Sequence, residues 1–506
     1  FWKSNFEDEI PVLNLPTQFS RPNVSSFQGK KVHSSIGHDL TASLYQLANQ
    51  LSVTPYMLFL SVYYILLAKY SSQEDIIVGS PIVGRKLPET YSMMGMFVNS
   101  LPLRNNVNQE LSFHTFLQQV KKNCLACFEH QAYPFDELVN QLNLNRDISR
   151  NPLFDTMFVF QNEGNPKIGF GDVKAKYYIP DMNISKFDLT LEIMPDNDHL
   201  NLSFEYCTDL FENWFIENMA NHYTNILKII LDNPNIVIKD IDILSSEEKY
   251  KLIYEFNNTS ASYSKDKTIS QLFEAQVEKT PDSIAVVFEN QKLTYKQLNE
   301  KANCLAHYIV GHGINKSSIV GIMLSRSLEL VITILAANKL GSAYILIDPT
   351  LPNERIQYML ENSKASLLIT NKKNNNIHFA NIMLIDELNI KPEKNLNIAQ
   401  NNNEILCIIY TSGSTGMPKG VLLRKIGFVN LLYAFNKCMD IFNFTNFLSI
   451  ATVSFDMFSV ELFCSLLQGK KLFLTTEEEQ RNPRLLAEII ENNHIEFMVS
   501  TPSKVE

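Results

Sequence analysis

The sequence predicts an α/β protein in which parallel sheets are flanked by helices. Three observations lead there. From Thr268 onward, short apolar runs alternate with helical stretches, the pattern of strand–helix–strand units. Between Phe187 and Phe204 the apolar period is two, the mark of half-exposed strands. The run Ile405-Leu-Cys-Ile-Ile409 reads as a buried strand and feeds directly into a loop crowded with glycines and hydroxyls.

A length of 506 residues implies two or more domains. The 45% hydrophobic and 19% charged content is ordinary for a globular protein. A net charge of −10 without a basic stripe excludes a nucleic-acid binder. Seven scattered cysteines suggest reduced thiols in a cytoplasmic protein. Cys124 and Cys127 have redox spacing, yet they share a helical stripe with Phe113, Phe116, Leu117, Val120 and Phe128, so core packing is expected. No signal peptide opens the chain. The apolar block from Pro55 to Ala68, 14 residues long, falls short of the roughly 20 that span a bilayer. Thr54-Pro55 is a helix start, and a buried helix follows.

In order, Leu40, Leu44, Leu47, Ala48 and Leu51 form one amphipathic helix, and Ile76 to Val78 a strand ending at Gly79. Phe187 to Ile193 and Leu200 to Phe204 are strands, and Trp214 to Leu231 a helix. Turn-rich sequence then marks a linker over 241–267, with one short helix at Glu247 to Phe256. Beyond it, Ile284 to Phe288, Ile319 to Met323 and Ala343 to Ile347 are strands. The helices between them are Tyr295 to Val310, capped by Thr294, and Leu328 to Leu340, closed by Gly341. Ile495 to Val499 should be a core strand. The domains expected are therefore 1–240 and 268–506.

The loop Ile409-Tyr-Thr-Ser-Gly-Ser-Thr-Gly-Met-Pro-Lys-Gly420 is the most informative stretch. Thr411, Ser412, Ser414 and Thr415 bring hydroxyls, Lys419 an ammonium, and Gly413, Gly416 and Gly420 close backbone approach. A polyphosphate is well served by such groups. It is not the G-x-x-x-x-G-K-[ST] loop, because Lys419 follows Pro418 and precedes Gly420. Its order closely resembles the phosphate loop of the adenylate-forming enzymes, which include the adenylation domains of nonribosomal peptide synthetases. Leu293-Thr-Tyr-Lys-Gln-Leu298, Asn338-Lys-Leu-Gly-Ser-Ala-Tyr-Ile-Leu-Ile-Asp-Pro349 and Ser454-Phe-Asp-Met-Phe-Ser-Val-Glu-Leu-Phe463 resemble further motifs of that family, in its order.

The resemblance implies ATP-dependent activation of an amino acid as its adenylate, with ATP and Mg2+ required. Thr411, Ser412, Gly413, Ser414, Thr415, Gly416, Lys419 and Gly420 would bind phosphate. Asp456 would pair with the substrate ammonium, since an unpaired buried charge is costly; the alternative is a helix N-cap aspartate. Phe455, Met457, Val460 and Val499 would line the amino-acid pocket, and their apolar character hints at an uncharged side chain. Lys425 stands where many members carry histidine, a departure that weakens the case for full activity if the position orients substrate.

The first half carries Met94-Gly-Met-Phe-Val-Asn-Ser-Leu-Pro-Leu-Arg104, His130-Gln-Ala-Tyr-Pro-Phe-Asp-Glu-Leu138 and Arg146-Asp-Ile-Ser-Arg-Asn-Pro-Leu-Phe-Asp155. These resemble the C-terminal part of a condensation domain, which implies a partial chloramphenicol-acetyltransferase-like lobe followed by an incomplete adenylate-forming N-terminal domain. The family's H-H-x-x-x-D-G motif is not in the chain, so His130 is expected to be structural, and Arg146, Asp147 and Arg150 to fix a loop by buried ion pairs. No catalytic residue is identifiable and no metal ligand is assigned, because the condensation histidines and the family's catalytic lysine fall outside these residues. By itself the chain is expected not to make adenylate efficiently.

The partners implied are the amino acid and ATP, carrier domains bearing phosphopantetheine, and the rest of a synthetase polypeptide, with no nucleic acid and no membrane. Two other readings stay open. One is a non-catalytic scaffold that docks carrier domains, the other an acyl-acid ligase with an unrelated N-terminal domain.

Overall fold

A computed structural model describes residues 1–85, 87–142, 144, 147–161, 169–170, 173–174, 182–196, 198–263, 265–371, 376–388, 393–411 and 417–501. It is α/β, as the alternation predicts, and divides into two compact units, Phe1–Thr259 and Ser260–Glu506.

The first unit is built on a six-stranded sheet. Its spatial order is Gly29–Ile36, His199–Cys207, Leu189–Asp196, Thr156–Phe160, Asp75–Ile82 and Asn99–Asn106. The pairings between Leu189–Asp196, Thr156–Phe160 and Asp75–Ile82 are parallel, and the others antiparallel. Leu189, Leu191 and Ile193 are buried while the residues between them are half-exposed, so the period of two has its expected cause.

Helix Pro55–Ser71 starts at the Thr54 cap, whose hydroxyl accepts from the Met57 N–H at 3.3 Å. It is buried continuously from Met57 to Ala68 and packs against helices Phe113–Glu129 and Asn213–Asp232. An all-round apolar helix has no solvent face, which is why it sits at the centre. Its tyrosines still need partners: Tyr64 donates to the Leu103 carbonyl at 2.6 Å, and Tyr63 shares a 2.5 Å bond with the Thr156 hydroxyl. Among the described residues no single helix is long and apolar enough to cross a membrane. Helices His38–Gln50 and Pro55–Ser71 satisfy length and composition only as a pair bent by 102°.

Cys124 and Cys127 are fully buried in helix Phe113–Glu129, and all seven cysteines are free thiols. Burial pushes both thiols up to about 12, the behaviour of core residues rather than of a reactive pair.

The stretch read as a linker helix is α-helical at Ser246–Tyr250 and continues as a π-helical turn, Lys251–Glu255. Ser245 and Glu248 form a capping box. Glu248 also accepts from the buried His222 imidazole at 2.9 Å, and the other ring nitrogen of His222 meets the Tyr70 hydroxyl at 2.7 Å. This chain of polar contacts anchors the helix to the first unit, which local propensity could not reveal.

The second unit holds two sheets. The five-stranded one runs Gln291–Thr294, Ile284–Phe288, Lys471–Leu474, Asn446–Ser449 and Phe497–Met498, parallel except at the Gln291–Thr294 edge. The six-stranded one runs Ile382–Leu384, Leu367–Thr370, Ile319–Met323, Ala343–Leu346, Ile405–Thr411 and Lys419–Arg424. Its last pair is antiparallel and the rest parallel. Gly341 closes helix Leu328–Leu340 at φ 81°, a left-handed position that favours glycine. One expectation is corrected. The stretch Ile495 to Val499 is not a core strand but a two-residue edge strand, half-buried because it has a neighbour on one side only. The segment after the glycine loop, for which the sequence suggested no element, is an antiparallel strand.

Replacing Glu248 by Ala removes one half of the capping box and one partner of His222. Amide exchange over 246–255 is expected to accelerate about tenfold, corresponding to roughly 1.4 kcal/mol, while strand Asp75–Ile82 stays protected. Hydrogen exchange read by mass spectrometry checks both arms.

Candidate functional site

The six-stranded sheet changes direction at Ile319–Met323. The next strand, Ala343–Leu346, lies on one side, and Leu367–Thr370 on the other. In open α/β sheets ligands bind outside the carboxyl ends of the strands at such a switch point. There Leu324, Ser325 and Arg326, together with Asp348, Pro349 and Thr350, line a cavity of about 280 Å³ with Thr452, Val453, Glu477, Gln480 and Arg481. Thr452 and Val453 lie in the turn between strand Asn446–Ser449 and helix Asp456–Leu466. Both sheets therefore deliver their carboxyl ends to one crevice.

Asp456 is the first residue of that helix and is exposed, its Oδ1 accepting from the Met457 N–H at 2.9 Å. Phe455 holds the N-cap position without a side-chain cap bond, so Asp456 is not the cap. Burial pushes the Cys407 thiol up to about 12, and the Asp456 charge pushes the same way. The carboxylate is thus within electrostatic reach of strand Ile405–Thr411. Tyr344 and Ser459, in hydroxyl contact at 3.5 Å, join strand Ala343–Leu346 to the same helix.

The remaining expected residues distribute as follows. Thr411 ends its strand, exposed, and is register partner to Lys419, which opens the antiparallel strand, also exposed. Gly420 pairs with Tyr410, and a Cβ there would meet the Tyr410 ring at 3.2 Å, so close packing is one reason for glycine. Ser412, Gly413, Ser414, Thr415 and Gly416 lie outside the described residues. Phe455 is 58% exposed, suited to wall an open pocket. Met457 is half-buried against the core. Val460 is 2% exposed and packs into the core, in a stretch of its helix where every residue from Phe458 to Leu466 is buried. Val499 is half-buried just beyond strand Phe497–Met498.

Lys425 is not at a substrate position. It is 2% exposed and donates to the Gly341 carbonyl at 3.0 Å, Gln400 Oε1 at 3.3 Å and Glu404 Oε2 at 2.9 Å. Its ammonium is fully engaged in structure.

Sequence reading missed two residues at the crevice. Arg326, 6% exposed, donates from Nη1 to the Ala451 carbonyl at 2.6 Å, from Nη2 to Ser449 Oγ at 2.8 Å and to the Ser449 carbonyl, and from Nε to the Thr475 carbonyl at 2.7 Å. Glu461, 4% exposed, accepts from Ser449 Oγ at 2.6 Å and from the Ile450 and Ala451 N–H groups at 3.3–3.4 Å. A lone acid inside the apolar run Met457 to Leu467 was the available signal. Burial holds Arg326 down to about 10 and pushes Glu461 up to about 7.

In the first unit, His130 ends helix Phe113–Glu129, its Nδ1 at 2.9 Å from the Ala126 carbonyl and its ring stacked on Phe1. That is a structural use. Arg150 forms an ion pair with Asp155, which is 5% exposed. Asp147, in contrast, is exposed and makes no buried ion pair among the described residues; it accepts from the Ser149 N–H and hydroxyl at 2.8 and 2.7 Å. Arg146 lies outside the described residues. The segments 135–140 and 147–155 line a cavity of about 880 Å³ with Asp75, Ile76 and Ile77.

Residues 1–253 match the condensation domain family, and residues 273–506 match the AMP-binding enzyme family. The chain belongs to the nonribosomal peptide synthetases, with condensation-domain sequence followed by adenylation-domain sequence. It is 40% identical to gramicidin S synthase 2 of Brevibacillus brevis over 99% of its length, and 41% identical to bacitracin synthase 2 of Bacillus licheniformis over all of it. It spans only 11% and 20% of those relatives. A crystal structure of a four-domain nonribosomal peptide synthetase bound to AMP and glycine shares the fold over 100% of this chain and 39% of that one, with a TM-score of 0.89 at 23% identity.

Glu461 titrates above its ordinary 4.5, so its contribution to stability is full below about pH 4.5 and is lost as the pH rises through about 7. Arg326 faces it through Ser449, with Glu477 and Glu479 farther out. Glu461→Gln cannot titrate. Relative to the parent, its stability should gain up to about 3 kcal/mol between pH 5 and pH 8. Hydrogen exchange across helix Asp456–Leu466 at the two pH values reads the difference.

Proposed function

We propose that this chain is the part of a peptide-synthetase module that grips ATP and receives the α-ammonium of an amino acid, so that the amino acid is activated as its adenylate. One observation carries the proposal: the exposed Asp456 carboxylate opens the helix that follows Thr452 and Val453, which line the switch-point crevice. An exposed carboxylate suits the ammonium of a zwitterionic substrate, and the exposed Thr411 and Lys419 register pair suits a polyphosphate.

In the proposed reaction the amino-acid carboxylate attacks the α-phosphorus of ATP and pyrophosphate leaves. The protein's share is positioning and charge complementarity. Thr411, Ser412, Gly413, Ser414, Thr415, Gly416, Lys419 and Gly420 hold the phosphates; Asp456 fixes the ammonium; Phe455 and Met457 bound the side chain, with Val499 at its margin. Mg2+ would supply charge neutralisation on phosphate oxygens. Among the described residues no group of three or more His, Cys, Asp or Glu side chains is arranged to hold a metal, so no ligand is assigned to it.

The activated amino acid passes to a phosphopantetheine-bearing carrier domain, and the first unit contributes one lobe of the site that forms the amide bond. The functional boundaries proposed are 1–240 and 268–506. Seven free thiols support a cytoplasmic location. The condensation match over residues 1–253 weighs against a ligase with an unrelated N-terminal domain.

The test uses the intact parent synthetase and ATP–pyrophosphate exchange. A charge-assisted hydrogen bond is worth about 1.5–3 kcal/mol, or roughly ten- to a hundredfold. Asp456→Ala should raise KM for the amino acid by that factor with little change for ATP, and Lys419→Ala should raise KM for ATP. An amino-acid KM unmoved by Asp456→Ala refutes the assignment.

A further inference from the structure

We infer that Arg326 and Glu461 are positioning residues for amino-acid recognition, together holding residues 449–451, the start of the turn that leads past the crevice to Phe455 and Asp456. The inference rests on the role proposed for Asp456.

The turn that delivers Asp456 has no regular structure of its own between strand Asn446–Ser449 and helix Asp456–Leu466. Apart from the Phe455 N–H, which bonds the Thr452 carbonyl at 3.0 Å, its first residues draw on side chains from outside the turn. Arg326 takes the carbonyl side, bonding Ser449 and Ala451, and Glu461 takes the amide side, bonding Ile450 and Ala451. The Ser449 hydroxyl closes the ring by accepting from Arg326 and donating to Glu461. Each ion therefore holds one edge of the same three residues, and neither bonds the other directly. The guanidinium also lies over the Phe458 ring, 5.3 Å from its centroid, in the first turn of the helix that Asp456 opens.

Two features make this more than general packing. Arg326 belongs to the loop after Ile319–Met323, in the other sheet, and also bonds the Thr475 carbonyl. The position of Asp456 is thereby referred to the switch-point crevice rather than to its own sheet alone. Glu461 lies on the very helix that Asp456 opens, so one rigid element carries both the recognition carboxylate and the anchor that sets its angle. Hydrophobic contact could hold the helix in place, but it could not fix the turn's rotation as bonds to both backbone edges do.

The roles separate kinetically. A residue that only stabilises the fold should lower the amount of active enzyme and leave KM values alone. A residue that sets the angle of Asp456 should raise KM for the amino acid while leaving KM for ATP and kcat nearly unchanged. In the intact parent synthetase, Arg326→Lys keeps the charge but loses the fork. It should raise KM for the amino acid about tenfold, with KM for ATP and kcat within about twofold. Glu461→Ala should do the same, and Glu461→Gln, which keeps an acceptor oxygen and the shape, should return to within about threefold of the parent.

If Glu461→Ala does not fold, as judged by loss of its thermal transition, the comparison of Arg326→Lys with the parent decides alone. Folded Arg326→Lys with an unchanged amino-acid KM, or with both KM values raised alike, overturns the inference. Asp456→Ala serves as the reference. If it raises the amino-acid KM and Arg326→Lys does not, only the positioning role falls. If Asp456→Ala itself has no effect, the reading of the site falls, and this inference with it.

Discussion

A guanidinium buried to 6% exposure cannot be left without acceptors, and that requirement organises the second unit. Arg326 finds its acceptors in three carbonyls, Ser449, Ala451 and Thr475, all at the carboxyl ends of neighbouring strands in the other sheet. Two sheets that could slide over an apolar boundary are thus pinned at the edge where their strands end. The pin costs desolvation, which is why Arg326 is held below its ordinary value, and that cost is offset by geometry no apolar pair would impose.

The same logic governs the strand that follows the glycine-rich loop. The loop leaves strand Ile405–Thr411 and returns as its antiparallel neighbour, so Thr411 and Lys419 end as register partners across the mouth of a hairpin. A hydroxyl and an ammonium eight positions apart in sequence become adjacent in space. Lys425, six residues beyond Lys419, turns inward to Glu404 and is spent on structure. The difference between the two lysines is one of exposure, and the tertiary fold alone assigns it.

In the first unit, the second and third motif segments line a cavity with Asp75, Ile76 and Ile77, and Asn99 to Arg104 of the first pair with the same strand; the sequence has no histidine pair. Their charged residues act mainly on the chain itself: Arg150 on Asp155, Asp147 on Ser149. His222, which no motif marked, is more deeply involved, because it ties helix Asn213–Asp232 to Glu248.

From the sequence alone came the α/β class, the strand–helix alternation from Ile284 to Ile347 and the strand before the glycine loop, the buried helix after Pro55, the core fate of Cys124 and Cys127, and the family. These depend on local periodicity, caps and contiguous motifs, all of which are short-range signals. The tertiary structure alone decided the antiparallel return at Lys419, the burial of Val460 and Lys425, and the Arg326–Glu461 frame. Each depends on pairing or burial settled by the assembled sheets and core, and local periodicity does not encode either.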